Sequence, residues 1–119
     1  MSAIKSQIRV RDEGGVHCVE FTERSIIDEA VIRQIGEELL KLVDGAATPT
    51  LVIDFTDVQH LSSAALGVLI NVHNRVKARS GQLRLCGIPK GIFEVFRITK
   101  LDRLFQTSDT VAQALESIG

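Results

Sequence analysis

The stretch that decides the fold is Leu51-Val-Ile-Asp-Phe-Thr-Asp-Val-Gln-His-Leu-Ser-Ser-Ala-Ala-Leu-Gly-Val-Leu-Ile70. It starts as an apolar strand, continues as a short polar loop and ends in a helix that opens with two serines. Backbone N–H groups in the first turn of a helix lack intrahelical partners and carry the positive end of the helix dipole. A hydroxyl placed there lies beside a natural anion site. We therefore expect function at Ser62 or Ser63.

The residues before this stretch predict a hairpin followed by a helix. A turn at 12–15, which contains a glycine pair, separates two extended segments at 7–11 and 16–21, a pattern typical of a hairpin. Between residues 31 and 43, apolar side chains recur at the spacing of one helical face. Pro49 excludes a continuation of this helix.

The residues after the central stretch predict two more helices and a strand. The helix that opens with the serines is expected to reach residue 79, a strand to span 82–88 and a third helix 89–96. An extended piece near Phe105 follows. The segment Thr107-Ser-Asp109 then offers N-cap chemistry for a last helix.

This order of elements predicts an α/β fold. We expect a single domain over residues 1–119 with a mixed β-sheet of about four to five strands and about four helices. The loops at 22–25, 56–62 and 87–90 are expected to meet at one edge of the sheet. Ligands of open α/β sheets usually bind at that edge.

Composition narrows the range of partners. Hydrophobic residues make up 45% and charged residues 24% of the chain, and the formal net charge is -1. A nucleic-acid partner requires clustered Lys and Arg. Apolar runs such as 64–70 fall far short of the ~20 residues of a membrane-spanning helix, and residues 1–11 lack the apolar stretch of a secretory signal. We expect a cytoplasmic protein with no nucleic-acid partner and no membrane insertion.

The cysteines and histidines do not form a motif. Cys18 and Cys86 fall inside predicted strands without CxxC spacing, which favours reduced, buried thiols. His17, His60 and His73 lie in three different elements and none is at ligand spacing with a Cys, a carboxylate or another His. We predict no metal site and no cofactor.

The motif residues also carry a family resemblance. Ile53-Asp-Phe-Thr-Asp-Val58 and His60-Leu-Ser-Ser-Ala-Ala-Leu-Gly67 are similar to the core motif of STAS domains, a family that includes bacterial anti-sigma factor antagonists. The pattern of elements is similar over nearly the full chain. In this family the first hydroxyl after an Asp is phosphorylated by a partner kinase, which implies phosphorylation of Ser63, with Ser62 as the alternative. Ser62 stands where the family prefers Asp.

The resemblance implies a binding domain rather than an enzyme. Its expected partner is an anti-sigma factor serine kinase with a histidine-kinase-like ATPase fold, which the unphosphorylated domain binds so that a sigma factor is released. A separate phosphatase is expected to remove the phosphate. The expected partner-binding residues are Arg24, Asp57, His60, Ser62, Ala65, Leu66 and Lys90.

Three alternatives remain open. Ser62 and Ser63 could serve only as helix caps, although Ser62 as cap and Ser63 as phosphate acceptor are compatible roles. The domain could be a non-phosphorylated interaction subunit of a lipid-transport complex or a sensory scaffold, which Ser62 in the place of Asp favours. It could also be a small enzyme or nucleotide-binding domain that uses Asp54 and Asp57. A structural role for both carboxylates, as acceptors of nearby backbone N–H groups, is the better interpretation.

Overall fold

The first two strands form the hairpin that the glycine pair predicts. In the computed structural model, which describes residues 6–118, strand β1 (Ile8–Glu13) pairs antiparallel with strand β2 (Val16–Phe21). Gly14 and Gly15 have φ angles of 59° and 89° and form the whole turn. The expected turn at 12–15 is therefore too long. Asp12 and Glu13 are strand residues, because two residues with positive φ suffice to reverse a hairpin.

Five strands form a mixed sheet, as predicted. The remaining strands are β3 (Ser25–Ile26), β4 (Thr50–Asp54), β5 (His60–Leu61), β6 (Gln82–Cys86) and β7 (Gln106–Ser108). The main sheet has the order β1-β2-β4-β6-β7, and all its pairs except β1 with β2 are parallel. Strands β3 and β5 form a separate parallel pair. The sequence did not indicate this pair, because two-residue strands are too short for a periodic signal.

Helices cover both faces of the sheet. They are α1 (Glu29–Asp44), α2 (Ser63–Ala78), α3 (Lys90–Ile98) and α4 (Val111–Glu116), with a short 3₁₀ turn at Leu101–Arg103. Helices α1, α2 and α3 pack on one face around an aliphatic core. Helix α4 covers the other face, where Ala114 meets Cys18, Val52 and Cys86. The prediction of reduced, buried thiols is borne out, since both cysteines are free and buried.

Three predicted boundaries are wrong by a few residues. Strand β6 ends at Cys86 rather than at residue 88, because Gly87 has a φ of 64° and turns the chain. Helix α3 continues to Ile98, beyond the expected end at residue 96. Helix α4 is capped by Thr110, whose Oγ1 accepts from the Gln113 N–H at 3.1 Å. The expected cap at 107–109 lies partly in β7, which pairs with β6.

The turn after β6 offers a test of the fold. We expect Gly87→Ala to lower the free energy of unfolding by about 1–3 kcal/mol, because non-glycine residues are strained at positive φ. A Cβ there would also meet the Thr56 hydroxyl and lie 2.8 Å from Oδ1 of Asp54. Urea denaturation measures the change. The matched control is Gly67→Ala in α2, where no neighbouring atom lies within 4 Å of the new Cβ. The free energy of unfolding of this control should rise by up to about 1 kcal/mol. Equal losses in both variants would contradict a special requirement for glycine at position 87.

The buried thiol of Cys86 predicts a loss of stability at alkaline pH. Burial, aided by the negative charge of Asp54, raises the pKa of Cys86 to about 12, whereas a thiol in the unfolded chain ionises near pH 8.5. Rising pH therefore releases protons from the unfolded state first and stabilises it. Between about pH 8.5 and 11, we expect the wild-type free energy of unfolding to fall more steeply than that of Cys86→Ala. Parallel curves for the two proteins would overturn this prediction.

Candidate functional site

Ser62 begins helix α2 as its N-cap. Its backbone is extended, with φ -83° and ψ 165°, and its Oγ accepts from the Ala65 N–H at 3.3 Å. The Ser62 N–H donates to the carbonyl oxygen of Ile26 at 3.1 Å, and the Ser62 carbonyl accepts from Leu66. The hydroxyl and the backbone of Ser62 are thus both engaged in starting the helix.

Ser63 is the first residue of α2 and is exposed to solvent. The first turn of this helix contains no acidic residue, so the positive end of its dipole faces no carboxylate within the helix. In contrast, α1 is capped by Asp28 and carries Glu29 in its first turn. The start of α2 is therefore well suited to accept a negative charge at Ser63.

The expected gathering of three loops at one sheet edge is borne out. The carbonyl oxygen of Arg24 accepts from the N–H groups of Gln59 and His60 at 2.7 and 3.2 Å, which joins the first loop to the second. The Phe55 N–H, one residue before the second loop, donates at 2.9 Å to the carbonyl of Cys86, one residue before the third loop. Backbone hydrogen bonds thus hold the segment that leads to Ser62 in place.

An open, largely apolar groove of about 480 Å³ lies beside Ser62, and we call it the switch groove. Two of its apolar lining residues are exposed, Ile27 by 56% and Val95 of α3 by 41%. The other lining residues are Gln59, His60, Leu61, Ser62, Leu66, Pro89, Gly91 and Ile92. Exposed apolar side chains around a concave surface are typical of a protein-binding site.

The structure brings some of the predicted partner-binding residues together at this groove. His60, Ser62 and Leu66 line it, although Leu66 is buried and belongs to the core. Arg24 is exposed and adjoins His60 through its carbonyl oxygen. Asp57 is exposed in the turn between β4 and β5. These positions are compatible with partner contact, which itself stays a prediction.

Four of the seven predicted partner residues, Arg24, Asp57, Ala65 and Lys90, do not line the switch groove. Ala65 is buried and lines a small interior cavity with Phe21, Ile26 and Phe55. Lys90 is exposed at the start of α3 and lines a different groove, which it shares with Asp109. The reason is helical geometry, because successive residues of a helix point in different directions.

Asp54 and Asp57 are not arranged as a catalytic pair. Oδ1 of Asp54 accepts from both the N–H and the hydroxyl of Thr56, which stabilises the turn after β4. Asp57 lies exposed in that turn. Within residues 6–118, no group of three His, Cys, Asp or Glu side chains could hold a metal ion. These contacts support the structural interpretation of Asp54, whereas that of Asp57 stays a prediction.

Sequence reasoning missed the apolar walls of the switch groove. Ile27 follows the buried Ile26 in a short extended segment, where alternate side chains face opposite ways. Helix α3 carries apolar residues on more than one face, with Val95 and Ile98 exposed. This excess of apolar residues was the available signal. Only the packing of α3 distinguishes the exposed residues from the buried Ile92 and Phe96.

The family model of the STAS domain matches residues 7–114, and the chain belongs to this family. A relative from Thermotoga neapolitana, named as the homolog of a candidate anti-sigma factor antagonist, is 31% identical over 68 residues. The match covers 57% of this chain and 60% of that relative, which is less than two thirds of its length.

Solved structures share the fold over almost the whole chain. An anti-sigma-factor antagonist (STAS) domain protein from Planctomyces limnophilus has a TM-score of 0.84 and 26% identity, and the match covers 92% of this chain and 96% of that one. The Bacillus cell fate determinant SpoIIAA, solved in its phosphorylated form, has a TM-score of 0.70 and 16% identity, with coverage of 94% and 99%. The second likeness shows the fold alone.

None of the helices in the described part of the chain is long and apolar enough to cross a membrane.

The two serines are expected to differ in their effect on stability. Ser62→Ala removes the cap and should lower the free energy of unfolding by about 0.5–2 kcal/mol. Ser63→Ala should change it by less than about 0.5 kcal/mol, because this side chain is exposed and alanine favours the helix. Urea denaturation of both variants measures the difference. A loss at Ser63 as large as that at Ser62 would mean that Ser63 is the cap.

Proposed function

We propose that this chain is an anti-sigma factor antagonist that works as a phosphorylation-controlled binding domain. Unphosphorylated, it binds an anti-sigma factor that is also a serine kinase of the histidine-kinase-like ATPase fold, and a sigma factor is released. Phosphorylation of Ser63 by this kinase ends the complex, and a separate phosphatase restores the binding form. The chain acts in the cytoplasm, where the kinase finds ATP, and itself catalyses no reaction.

The exposed hydroxyl of Ser63 at the first residue of α2 carries the proposal. It sits next to Ser62, which lines the switch groove and whose own hydroxyl caps the helix. A kinase can therefore reach Ser63 without disrupting the start of α2. Family membership supports the proposal, and SpoIIAA, which shares the fold, was solved in a phosphorylated form.

Phosphorylation would act on the partner rather than on the fold. A phosphoserine adds about -1.5 to -2 charges, and a negative charge in the first helical turn is typically worth about 0.3–1 kcal/mol of stabilisation. The first turn of α2 contains no acidic residue that would oppose it. The modified helix should therefore stay folded. A partner that covers Ile27 and Val95 would have to bury the phosphate at the rim, which costs free energy.

Small side chains on α2 support a close approach by the partner. Ala64 and Gly67 are exposed, and no neighbouring atom lies within 4 Å of a Cβ built on Gly67. A glycine inside a helix costs about 0.5–1 kcal/mol relative to alanine. Packing within this chain does not require Gly67, so a partner lying over the first turns of α2 accounts for it.

The remaining contacts extend this surface along the sheet edge. Arg24, Asp57 and His60 would contact the partner beside the switch groove. Lys90 is placed between Pro89 and Gly91, which line that groove, and would reach the partner from its outer side. Ala65 would act through its small size, since it lets the start of α2 pack closely on the core.

A second candidate function follows from Ser62. The family prefers Asp at this position, and a non-phosphorylated subunit of a larger assembly, such as a lipid-transport complex or a sensory scaffold, would not need that carboxylate. In such an assembly the switch groove would be a permanent docking surface. Ser63 would then not be modified.

Phosphate mapping separates the two candidates. The full chain is incubated with ATP and the histidine-kinase-like anti-sigma factor kinase of the same organism, and the product is mapped by mass spectrometry. We expect one phosphate on Ser63 in the wild type and in Ser62→Ala, and none in Ser63→Ala. Modification of neither serine would favour the permanent subunit.

A binding experiment tests the mechanism of release. Ser63→Glu should bind the same kinase at least about ten-fold more weakly, a loss of about 1.4 kcal/mol, while its melting temperature stays equal to or above that of the wild type. Ser63→Ala is the matched control and should bind like the wild type. If Ser63→Glu binds the kinase as tightly as the wild type does, or binds weakly only because it is unfolded, a negative charge beside the groove does not release the partner.

A further inference from the structure

A second groove lies at the opposite edge of the sheet, and we call it the basic groove. It has a volume of about 360 Å³ and lies between the end of α2, the start of β6 and the 3₁₀ turn. Its lining residues are His73, Val76, Lys77, Gly81, Gln82, Leu83, Arg84, Arg103, Leu104 and Gln106. Two exposed residues among them, Lys77 and Arg103, are cationic, and none of the lining residues is acidic.

This excess of positive charge is local. The whole chain has 14 Lys and Arg against 15 Asp and Glu, with a net charge of -1. Elsewhere, arginines meet carboxylates, as Arg75 meets Asp44 and Arg97 meets Glu94, both pairs within 2.9 Å. Lys77 and Arg103 are exposed on the rim of the basic groove. The groove therefore combines like charges that repel one another.

Arg84 also borders the groove, but its guanidinium lies on the other face of the sheet, beside Ser117 at the end of α4. It is only 8% exposed. Its guanidinium donates to Ser117 Oγ at 2.9 Å, Gln82 Oε1 at 2.9 Å, and the carbonyl oxygens of Leu83 and Ser117 at 3.2 and 3.3 Å. All four acceptors are neutral. Hydrogen bonds thus satisfy the donors, but the buried charge has no ionised counterpart among these acceptors.

His73 also lines the basic groove. It lies one turn before Lys77 in α2, and its ring packs against Phe105 with centroids 5.4 Å apart. Burial, with a smaller contribution from the charge of Lys77, lowers the pKa of His73 below its ordinary value. The imidazole therefore adds little positive charge at pH 7, and the positive potential of the groove comes from Lys77 and Arg103.

We propose that the basic groove binds a small phosphorylated molecule, with Lys77 and Arg103 on the phosphate oxygens and Leu104 against the organic part. Lys and Arg are the usual phosphate-binding side chains, and Arg makes bidentate hydrogen bonds to phosphate. Leu104 is 38% exposed and supplies an apolar surface beside these charges. The volume lies within the roughly 300–1,000 Å³ typical of small-ligand sites.

The shape and location of the groove favour a small ligand that acts independently of Ser63. Nucleic acids need an extended basic stripe, whereas these charges meet in one concave site. Ser63 and Lys77 lie at opposite ends of α2, about 20 Å apart at 1.5 Å per residue. Binding here would regulate or localise the domain without occupying the switch groove.

A titration with two probes tests the proposal. The ¹⁵N-labelled full chain is titrated with phenyl phosphate and, separately, with inorganic phosphate at constant ionic strength. We expect saturable amide shifts at residues 73–84 and 101–106, and tighter binding of phenyl phosphate. The double variant Lys77→Gln with Arg103→Gln should bind phenyl phosphate at least about ten-fold more weakly, because two charge-assisted contacts are lost.

A second double variant tests whether the loss of affinity comes only from the change in net charge. Arg33→Gln with Lys41→Gln removes the same charge from exposed positions of α1 and should bind like the wild type. Leu104→Ala should remove the preference for phenyl phosphate. Circular dichroism checks that each variant is folded. Absence of saturable shifts, equal weakening in both double variants, no preference for phenyl phosphate, or shifts confined to the start of α2 would each overturn the proposal.

Discussion

The burial of strand β4 in the middle of the sheet constrains the rest of this molecule. Leu51, Val52 and Ile53 have no exposed surface, because β2 and β6 flank the strand and helices cover both faces. Each fully buried aliphatic side chain contributes about 1.5–3 kcal/mol. Since β2, β4 and β6 are parallel, their carboxyl ends reach the same edge. The chain leaves β4 at this edge, and α2 therefore begins there.

Backbone hydrogen bonds fix the position of the chain at this edge. Carbonyl oxygens of Arg24, Ile26 and Cys86 accept from the segment between β4 and α2, so its position does not depend on long flexible side chains. The buried Phe55 anchors the start of the segment. Its ring packs on the ring of Phe21, with the two ring centroids 5.2 Å apart. A phosphate on Ser63 would be presented by a corner held by backbone and core packing. Such a corner can change its charge without changing its shape, which is what a binding switch requires.

The two ends of α2 carry different kinds of positive potential. At the start of the helix the potential comes from unpaired backbone N–H groups and is uncompensated by acidic residues of the first turn. At the other end it comes from two exposed side chains, Lys77 and Arg103. One helix thereby links the corner that we assign to a partner protein with the groove that we assign to a small phosphorylated molecule.

Local patterns in the sequence determined the fold class, the hairpin, the long helices, the buried cysteines and the place of Ser62 and Ser63 at a helix start. These features depend on periodicity, turn residues and capping, which act over a few neighbouring residues. Only the tertiary structure decided which apolar residues stay exposed, as Ile27 and Val95 do, and that Ala65 is covered and Lys90 lies outside the switch groove. It also brought Lys77 and Arg103 together from separate elements. The physical reason is that exposure and charge clustering depend on how elements distant in sequence pack, which no local pattern encodes.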